Sequence, residues 1–245
     1  MKTYYFVLPA YNEEGNLKDT LEAVARVRVS EDVETKILVV DDGSTDATPH
    51  ILRSLQTSLP LSVVTHSPNK GIPKVFESAS AHLAPLLKDE DVVIILESDG
   101  TSDLACVPLF KNALDAGADI VIASRHVHGG AYVRFPWYRI LGSTAVNVFL
   151  TLLWRIKNVH DYTMFYRAYK GKIFKKFHEE GGMFVAKKSF AANGELLYRL
   201  AKYDPRIEEV PLRYDYGLKK GPSKMRLIQT LLEYMRLTLS LHKKA

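Results

Sequence analysis

Thr35-Lys36-Ile37-Leu38-Val39-Val40 is an apolar, largely β-branched run that stops abruptly at Asp41-Asp42-Gly43-Ser44-Thr45-Asp46. The run reads as a buried strand, and the polar cluster as the turn that ends it and can cap a following helix. The same unit recurs on either side. Tyr4–Leu8 is a strand ended by Pro9-Ala10-Tyr11-Asn12-Glu13, and Leu17, Leu21 and Val24 follow at helical spacing. After residue 46 come a helix holding Ile51, Leu52 and Leu55, a strand over Leu61–Thr65, and a helix from Pro73 to about Leu87. Val92–Leu96 is the most apolar strand and ends at Glu97-Ser98-Asp99-Gly100. A helix over Val107–Ala116 and a strand over Asp119–Ala123 complete the series. Alternation of this kind predicts parallel strands with right-handed crossovers and helices on both faces. Ligands of such sheets bind outside the carboxyl ends of the strands. Four strand ends here carry polar clusters: Tyr11–Glu13, Asp41-Asp42, Glu97–Asp99 and Ser124-Arg125.

The rhythm breaks after Arg125. His126–Trp137, rich in Gly and aromatics, reads as a loop, and Ile140–Trp154 as a nearly all-round apolar helix. A strand over Thr163–Tyr169, a helix over Glu195–Lys202 and a strand over Ile207–Leu212 follow. Tyr214–Lys224 reads as a mobile basic loop. Met225, Ile228, Leu232, Met235 and Leu239 give an amphipathic last helix.

The chain has 245 residues, 47% hydrophobic and 25% charged, which excludes a disordered protein and allows a sizeable core. One cysteine, Cys106, excludes an internal disulfide framework and a cysteine-built zinc site, and fits a reducing compartment. Residues 1–164 carry 15 Lys+Arg against 20 Asp+Glu, whereas residues 165–245 carry 18 against 8. An acidic half joined to a basic tail points to a metal or polar site and an anionic partner, or simply to a solvated basic surface. Ile140–Trp154 would span roughly 22 Å as a helix. A bilayer core of about 30 Å needs about 20 residues. That helix therefore either lies in a membrane interface or is buried in the core.

Glu97 and Asp99 place two carboxylates on one side of an extended segment. They suit Mg²⁺ or Mn²⁺ with substrate phosphates, or else Asp99 or Ser102 caps the next helix. Asp41 and Asp42 either build a turn or accept hydrogen bonds from a nucleoside. No Gly-x-Gly-x-x-Gly follows the first strand and no phosphate-loop motif occurs, which disfavours a dinucleotide fold and a phosphate-loop ATPase.

Six segments in order resemble glycosyltransferase family 2 with the GT-A fold. Three are Pro9–Glu13, Val40–Asp46 and the acidic triplet Glu97–Asp99. The other three are Ile122–Arg125, Asp161–Tyr169 and Gly221–Met225, which resemble the polyprenyl-phosphate sugar synthase branch. The resemblance implies an α/β, Rossmann-like, mostly parallel sheet with helices on both faces and C-terminal amphipathic helices. It implies that Pro9, Tyr11, Glu13, Asp41 and Asp42 line the nucleotide pocket and that Asp99, with Glu97, holds Mg²⁺ or Mn²⁺. The family motif has Asp at the first of these two positions, so Glu97 is a departure and Asp99 is the safer ligand. Arg125 and Arg139 match phosphate-contacting positions, Lys219 and Lys224 a lid, and Asp161 an acceptor-side aspartate that orients a phosphate acceptor or serves as base for a hydroxyl.

The implied reaction transfers a sugar, with inversion, from a nucleoside-diphosphate sugar donor to a polyprenyl phosphate acceptor at a membrane. The alternatives are a soluble or polysaccharide acceptor, or a non-catalytic nucleotide-sugar-binding module. Residues 1–213 form the expected catalytic domain, donor-binding to 125 and acceptor-side from 126, with residues 214–245 as basic loop and amphipathic helix. Peripheral attachment to the cytoplasmic face of a membrane, with or without a membrane-embedded partner protein, and no nucleic-acid partner are expected.

Overall fold

The computed structural model describes residues 1–186, 190–219 and 227–242. Its centre is a seven-stranded sheet in the order β3-β2-β1-β4-β7-β5-β8. Five of these strands come from the alternating region: β1 (Lys2–Ala10), β2 (Val33–Asp41), β3 (Leu61–Thr65), β4 (Val92–Ile95) and β5 (Ile120–Ser124). They are apolar because most of them are covered on both faces. Phe6, Val7, Leu8, Val39, Val92, Val93, Ile94 and Ile120 through Ala123 have no exposed surface. Helices α1 (Leu17–Ala25), α2 (Thr48–Leu55), α3 (Ile72–Leu83) and α4 (Cys106–Asp115) are the crossovers.

Two strands from the second half enter the same sheet. β7 (Arg167–Lys170) lies between β4 and β5 and is antiparallel to both, pairing Ile94 with Ala168 and Val121 with Ala168. β8 (Ile207–Pro211) extends the sheet parallel to β5. The sheet is thus mostly parallel, as expected, with β1–β5 and β8 running one way and β7 antiparallel to its two neighbours. The stretch 126–137 is not wholly loop: β6 (Ala131–Val133) pairs with β9 (Arg213–Asp215), a partner some 80 residues on. Helix α6 (Gly171–Glu179), which sequence reasoning passed over, buries Ile173, Phe174 and Phe177. Helices α5 (Trp137–Trp154), α7 (Ala191–Ala201) and α8 (Leu227–His242) complete the chain.

β1 is the pivot of this order. From it the chain steps outward through β2 and β3, then returns to its other side as β4. The crevice at such a reversal, beyond the carboxyl ends of β1 and β4, is where an open α/β sheet receives a ligand. α7 and α8 meet at Gly194, where a Cβ would come within 2.7 Å of the Tyr234 ring. α8 also packs on α5, with Trp154 Nε1 donating to Thr238 Oγ1 at 3.1 Å.

Candidate active site

The turns after β1 and β2 hold each other. The amide of Asn12 donates to Ser44 Oγ at 2.9 Å, that of Glu13 to Thr48 Oγ1 at 2.8 Å, and that of Glu14 to Asp46 Oδ2 at 3.1 Å. In return Thr45 N donates to Asn12 Oδ1 at 2.8 Å. Asp41 is buried and its Oδ1 accepts the Ser44 amide at 3.0 Å. Asp42 takes three donors: His66 Nδ1 at 2.7 Å, Lys70 N at 2.8 Å and Gly71 N at 2.8 Å. Gly43 adopts φ 75°, and a Cβ there would stand 2.7 Å from Asn69 N. The Asp-Asp-Gly-Ser-Thr-Asp stretch thus fastens the first turn on one side and the 66–71 segment on the other.

A cavity of about 380 Å³ opens beyond these turns. Pro9, Tyr11, Glu13, Asp42, Glu97, Asp99, Arg125, Arg139 and Lys219 all line it, so nine of the twelve residues singled out from the sequence converge on one space. Asp41 and Asp161 do not line it. Lys224 lies outside the described residues, as do Lys220 and the Gly221–Met225 segment. Val75, Val146, Met164, Phe165, Phe190, Leu231 and Tyr234 give the cavity an apolar side toward α5 and α8.

Glu97 and Asp99 follow β4. Asp99 Oδ1 accepts from both the amide and the hydroxyl of Thr101, and its Oδ2 contacts the Lys219 ammonium. Glu97 Oε2 accepts the Ser102 hydroxyl. Burial, and then the charge of Asp99, push the Glu97 carboxyl up to about 7. Neither Asp99 nor Ser102 caps α4, whose N-terminus begins past Asp103 and Leu104. Among the described residues no group of three or more His, Cys, Asp or Glu side chains could hold a metal ion. The donor set nevertheless fits Mg²⁺ or Mn²⁺ of the substrate-borne kind. These ions take one or two carboxylates and complete their shell with phosphate and water. Asp99 Oδ2 is answered by the Lys219 ammonium.

Arg125 follows β5 and is fixed from below. Its Nε donates to Asp161 Oδ2 at 2.8 Å and its Nη2 to Asp161 Oδ1 at 2.6 Å and Thr163 Oγ1 at 2.7 Å. Asp161 is fully buried. Burial alone would raise its pKa, but the Arg125 guanidinium holds it well below the usual carboxylate range. Asn147, on α5, donates to Asp161 Oδ1 at 3.4 Å and accepts the Tyr162 amide at 2.8 Å. An aromatic cluster lies alongside. Arg125 stands 4.9 Å from the Tyr132 ring centre and 5.8 Å from that of Tyr214, and Arg139 stands 5.6 Å from that of Tyr216. Phe135 joins these rings, at 5.1, 5.5 and 4.9 Å from Tyr132, Tyr214 and Tyr216. The aromatic stretch 126–137 therefore shapes the surroundings of two arginines. Asn147, Thr163, Thr101 and His66 escaped sequence reasoning as site groups, and Ser102 was read there only as a helix cap. Asn147 alone had a signal, an amide in the middle of an otherwise apolar helix.

α5 exposes Trp137, Tyr138, Leu141, Val148 and Leu152, and α8 exposes Leu232, Met235 and Leu239. Phe149 packs against the core. Among the described residues no helix is long and apolar enough to cross a membrane.

The sheet order and the crevice at its reversal are those of the GT-A fold, and the comparisons give the family. The model of glycosyl transferase family 2 matches residues 5–177, so the chain belongs to that family and is a glycosyltransferase. It is 30% identical over 224 residues to a polyprenol monophosphomannose synthase of Mycolicibacterium smegmatis, covering 89% of this chain and 79% of that one. It is 29% identical to an undecaprenyl-phosphate mannosyltransferase of Micrococcus luteus, covering 89% and 86%. It is 26% identical to a dolichol-phosphate mannosyltransferase of Pyrococcus furiosus, covering 94% of this chain but only 61% of that protein. A crystal structure of glucosyl-3-phosphoglycerate synthase from Mycobacterium tuberculosis, with Mn²⁺, UDP and glucosyl-3-phosphoglycerate, superposes with TM-score 0.68 at 18% identity. It covers 98% of this chain and 79% of that one and shows the shared fold.

Proposed function

We propose that this chain transfers a sugar, with mannose favoured by the named relatives, from a nucleoside diphosphate to a polyprenyl phosphate at a membrane surface. The observation that carries the reading is the cavity itself. Cationic and carboxylate groups gather on the side of β4 and β5, and an apolar wall runs toward the exposed apolar surface of α5 and α8. A charged phosphate and a hydrocarbon tail need these two environments side by side.

In this reading residues 1–125 bind the donor and residues 126–213 receive the acceptor, with residues 214–245 supplying Lys219 and the α8 wall. Pro9, Tyr11, Glu13 and Asp42 flank the nucleoside. Asp41 acts through the turn it ties. Asp99 would hold the divalent cation, with Glu97 beside it. Bound there with the diphosphate, the cation would neutralise charge on the leaving nucleoside diphosphate. Arg125, Arg139 and Lys219 add positive charge at the same place. A phosphate monoester with a second pKa of about 6 is mostly dianionic near neutral pH and needs no strong base. That fits Asp161, whose carboxylate is buried under Arg125 and fixes the guanidinium plane, a positioning role. The hydrophobic face of α5 and α8 would rest in the lipid interface with the exposed Arg155 at its edge; Arg139 faces the cavity instead. Nothing in the comparisons supports a membrane-embedded partner.

The test is a donor screen with purified protein, Mn²⁺ and a polyprenyl phosphate, reading labelled sugar extracted into organic solvent. Label in the organic phase supports the proposal. Transfer only to water-soluble acceptors would refute it and favour a soluble acceptor.

A further inference from the structure

Asp99 has two oxygens, and each is answered within the protein. Thr101 engages Oδ1 through its amide and hydroxyl, and the Lys219 ammonium sits on Oδ2. The pair is shielded, the Lys219 side chain being 15% exposed and that of Asp99 8%. Lys219 is delivered there by a braced segment. β9 pairs with β6, Arg134 grips Asp215 through Nε at 2.8 Å, and Asp215 accepts the Gly217 amide at 3.0 Å. One turn of 3-10 helix, Tyr216–Leu218, then leads into Lys219, whose amide closes on Tyr216 O. The fold thus holds a cation of its own on the oxygen of Asp99 that Thr101 leaves for another ligand.

We infer that Lys219 is a built-in competitor of the divalent cation, so that the ion enters the site with the donor diphosphate and not alone. The inference rests on the reading of Asp99 as the cation's ligand. An ammonium and a divalent ion cannot both occupy Oδ2, because two cations would then stand within a few ångströms of each other in a shielded site. Free ion must displace Lys219 with nothing to receive the ammonium. An ion arriving on the donor brings its own receptor for Lys219, since the two negative charges of the diphosphate are spread over several oxygens and those that the ion does not engage can accept the ammonium. Lys219 exchanges one anionic partner for another, and binding of ion and nucleotide becomes mutually reinforcing.

The test measures Mn²⁺ binding, by electron paramagnetic resonance of free Mn²⁺, to the donor-free protein. Lys219→Met is expected to bind Mn²⁺ at least about tenfold tighter than wild type, equivalent to about 1.4 kcal/mol. Lys219→Arg, which keeps the charge, should bind as weakly as wild type and serves as the folded control. The gain should vanish in Lys219→Met/Asp99→Asn. With nucleoside diphosphate present, wild type should gain more Mn²⁺ affinity than Lys219→Met. Equal Mn²⁺ binding by wild type and Lys219→Met, with Asp99→Asn abolishing it in both, would overturn the competitor role and leave Asp99 as ligand. A gain that survives Asp99→Asn would overturn both.

Discussion

Replacing Asp161 by Asn keeps the shape of a fully buried side chain and removes its charge. The structure sets the scale of the effect. Asp161 has no exposed surface, and the Arg125 side chain it clamps at 2.8 and 2.6 Å is only 7% exposed. Removing one partner of a buried pair leaves the other charge uncompensated, at a cost of about 3–5 kcal/mol. For a chain of this length each kcal/mol moves the melting temperature by about 2–4 °C. A fall on the order of 6–20 °C is therefore expected. Asp161→Asn/Arg125→Met, lacking both charges, should recover part of it. The carboxyl is depressed in the folded state, so its contribution is present above the unfolded value of about 4 and is lost as pH falls toward the folded one. The difference between wild type and Asp161→Asn should hold steady from pH 5 to 8 and shrink only in stronger acid, on the order of pH 4 and below. Melting curves by circular dichroism across this range are the assay. A variant that melts like wild type yet has lost transfer would refute the anchoring role and place Asp161 among the reacting groups.

The α5 face should carry membrane affinity. Leu141 and Leu152 are 65% and 66% exposed, and burying surface of that size contributes about 1–2 kcal/mol each. Leu141→Asp/Leu152→Asp should therefore weaken binding to vesicles by two orders of magnitude or so in a sedimentation assay, while donor hydrolysis in solution persists. Unchanged sedimentation would count against this face. Glu97→Gln is expected to raise the melting temperature relative to wild type more at pH 8 than at pH 5. A carboxyl raised to about 7 holds its proton in the folded state where the unfolded chain has lost it, so its contribution declines as pH rises from about 4.5 to 7. A difference independent of pH would contradict the raised value.

The alternating half was legible because doubly buried strands must be apolar along their whole length. Phe6–Leu8, Val39-Val40 and Val92–Ile95 could therefore be recognised one by one, and so could the polar ends that converge on the cavity. Pairings made across long stretches of chain were not legible. Nothing local in Arg167–Lys170 shows that it runs antiparallel between β4 and β5, and Ala131–Val133 is a strand only because Arg213–Asp215 lies beside it. Helix α6 does carry a local signal, Ile173, Phe174 and Phe177 lying on one buried helical face. At the site, residue type showed that Asp41, Asp42 and Asp161 were polar groups at strand ends or loops. It could not show that Asp42 and Asp161 accept several hydrogen bonds inside the protein, because those donors come from the 66–71 segment and Arg125, nor that Asp41 accepts the Ser44 amide.

The most direct test of transfer at this site compares wild type with Asp99→Ala in one assay. Purified protein is given mannose-labelled nucleoside diphosphate, Mn²⁺ and polyprenyl phosphate in vesicles, and the organic-soluble label is counted. Wild type should move label into lipid, chelator should stop it, and Asp99→Ala should fold normally and move none. Lipid-linked label formed equally well by Asp99→Ala in the presence of chelator would contradict the account.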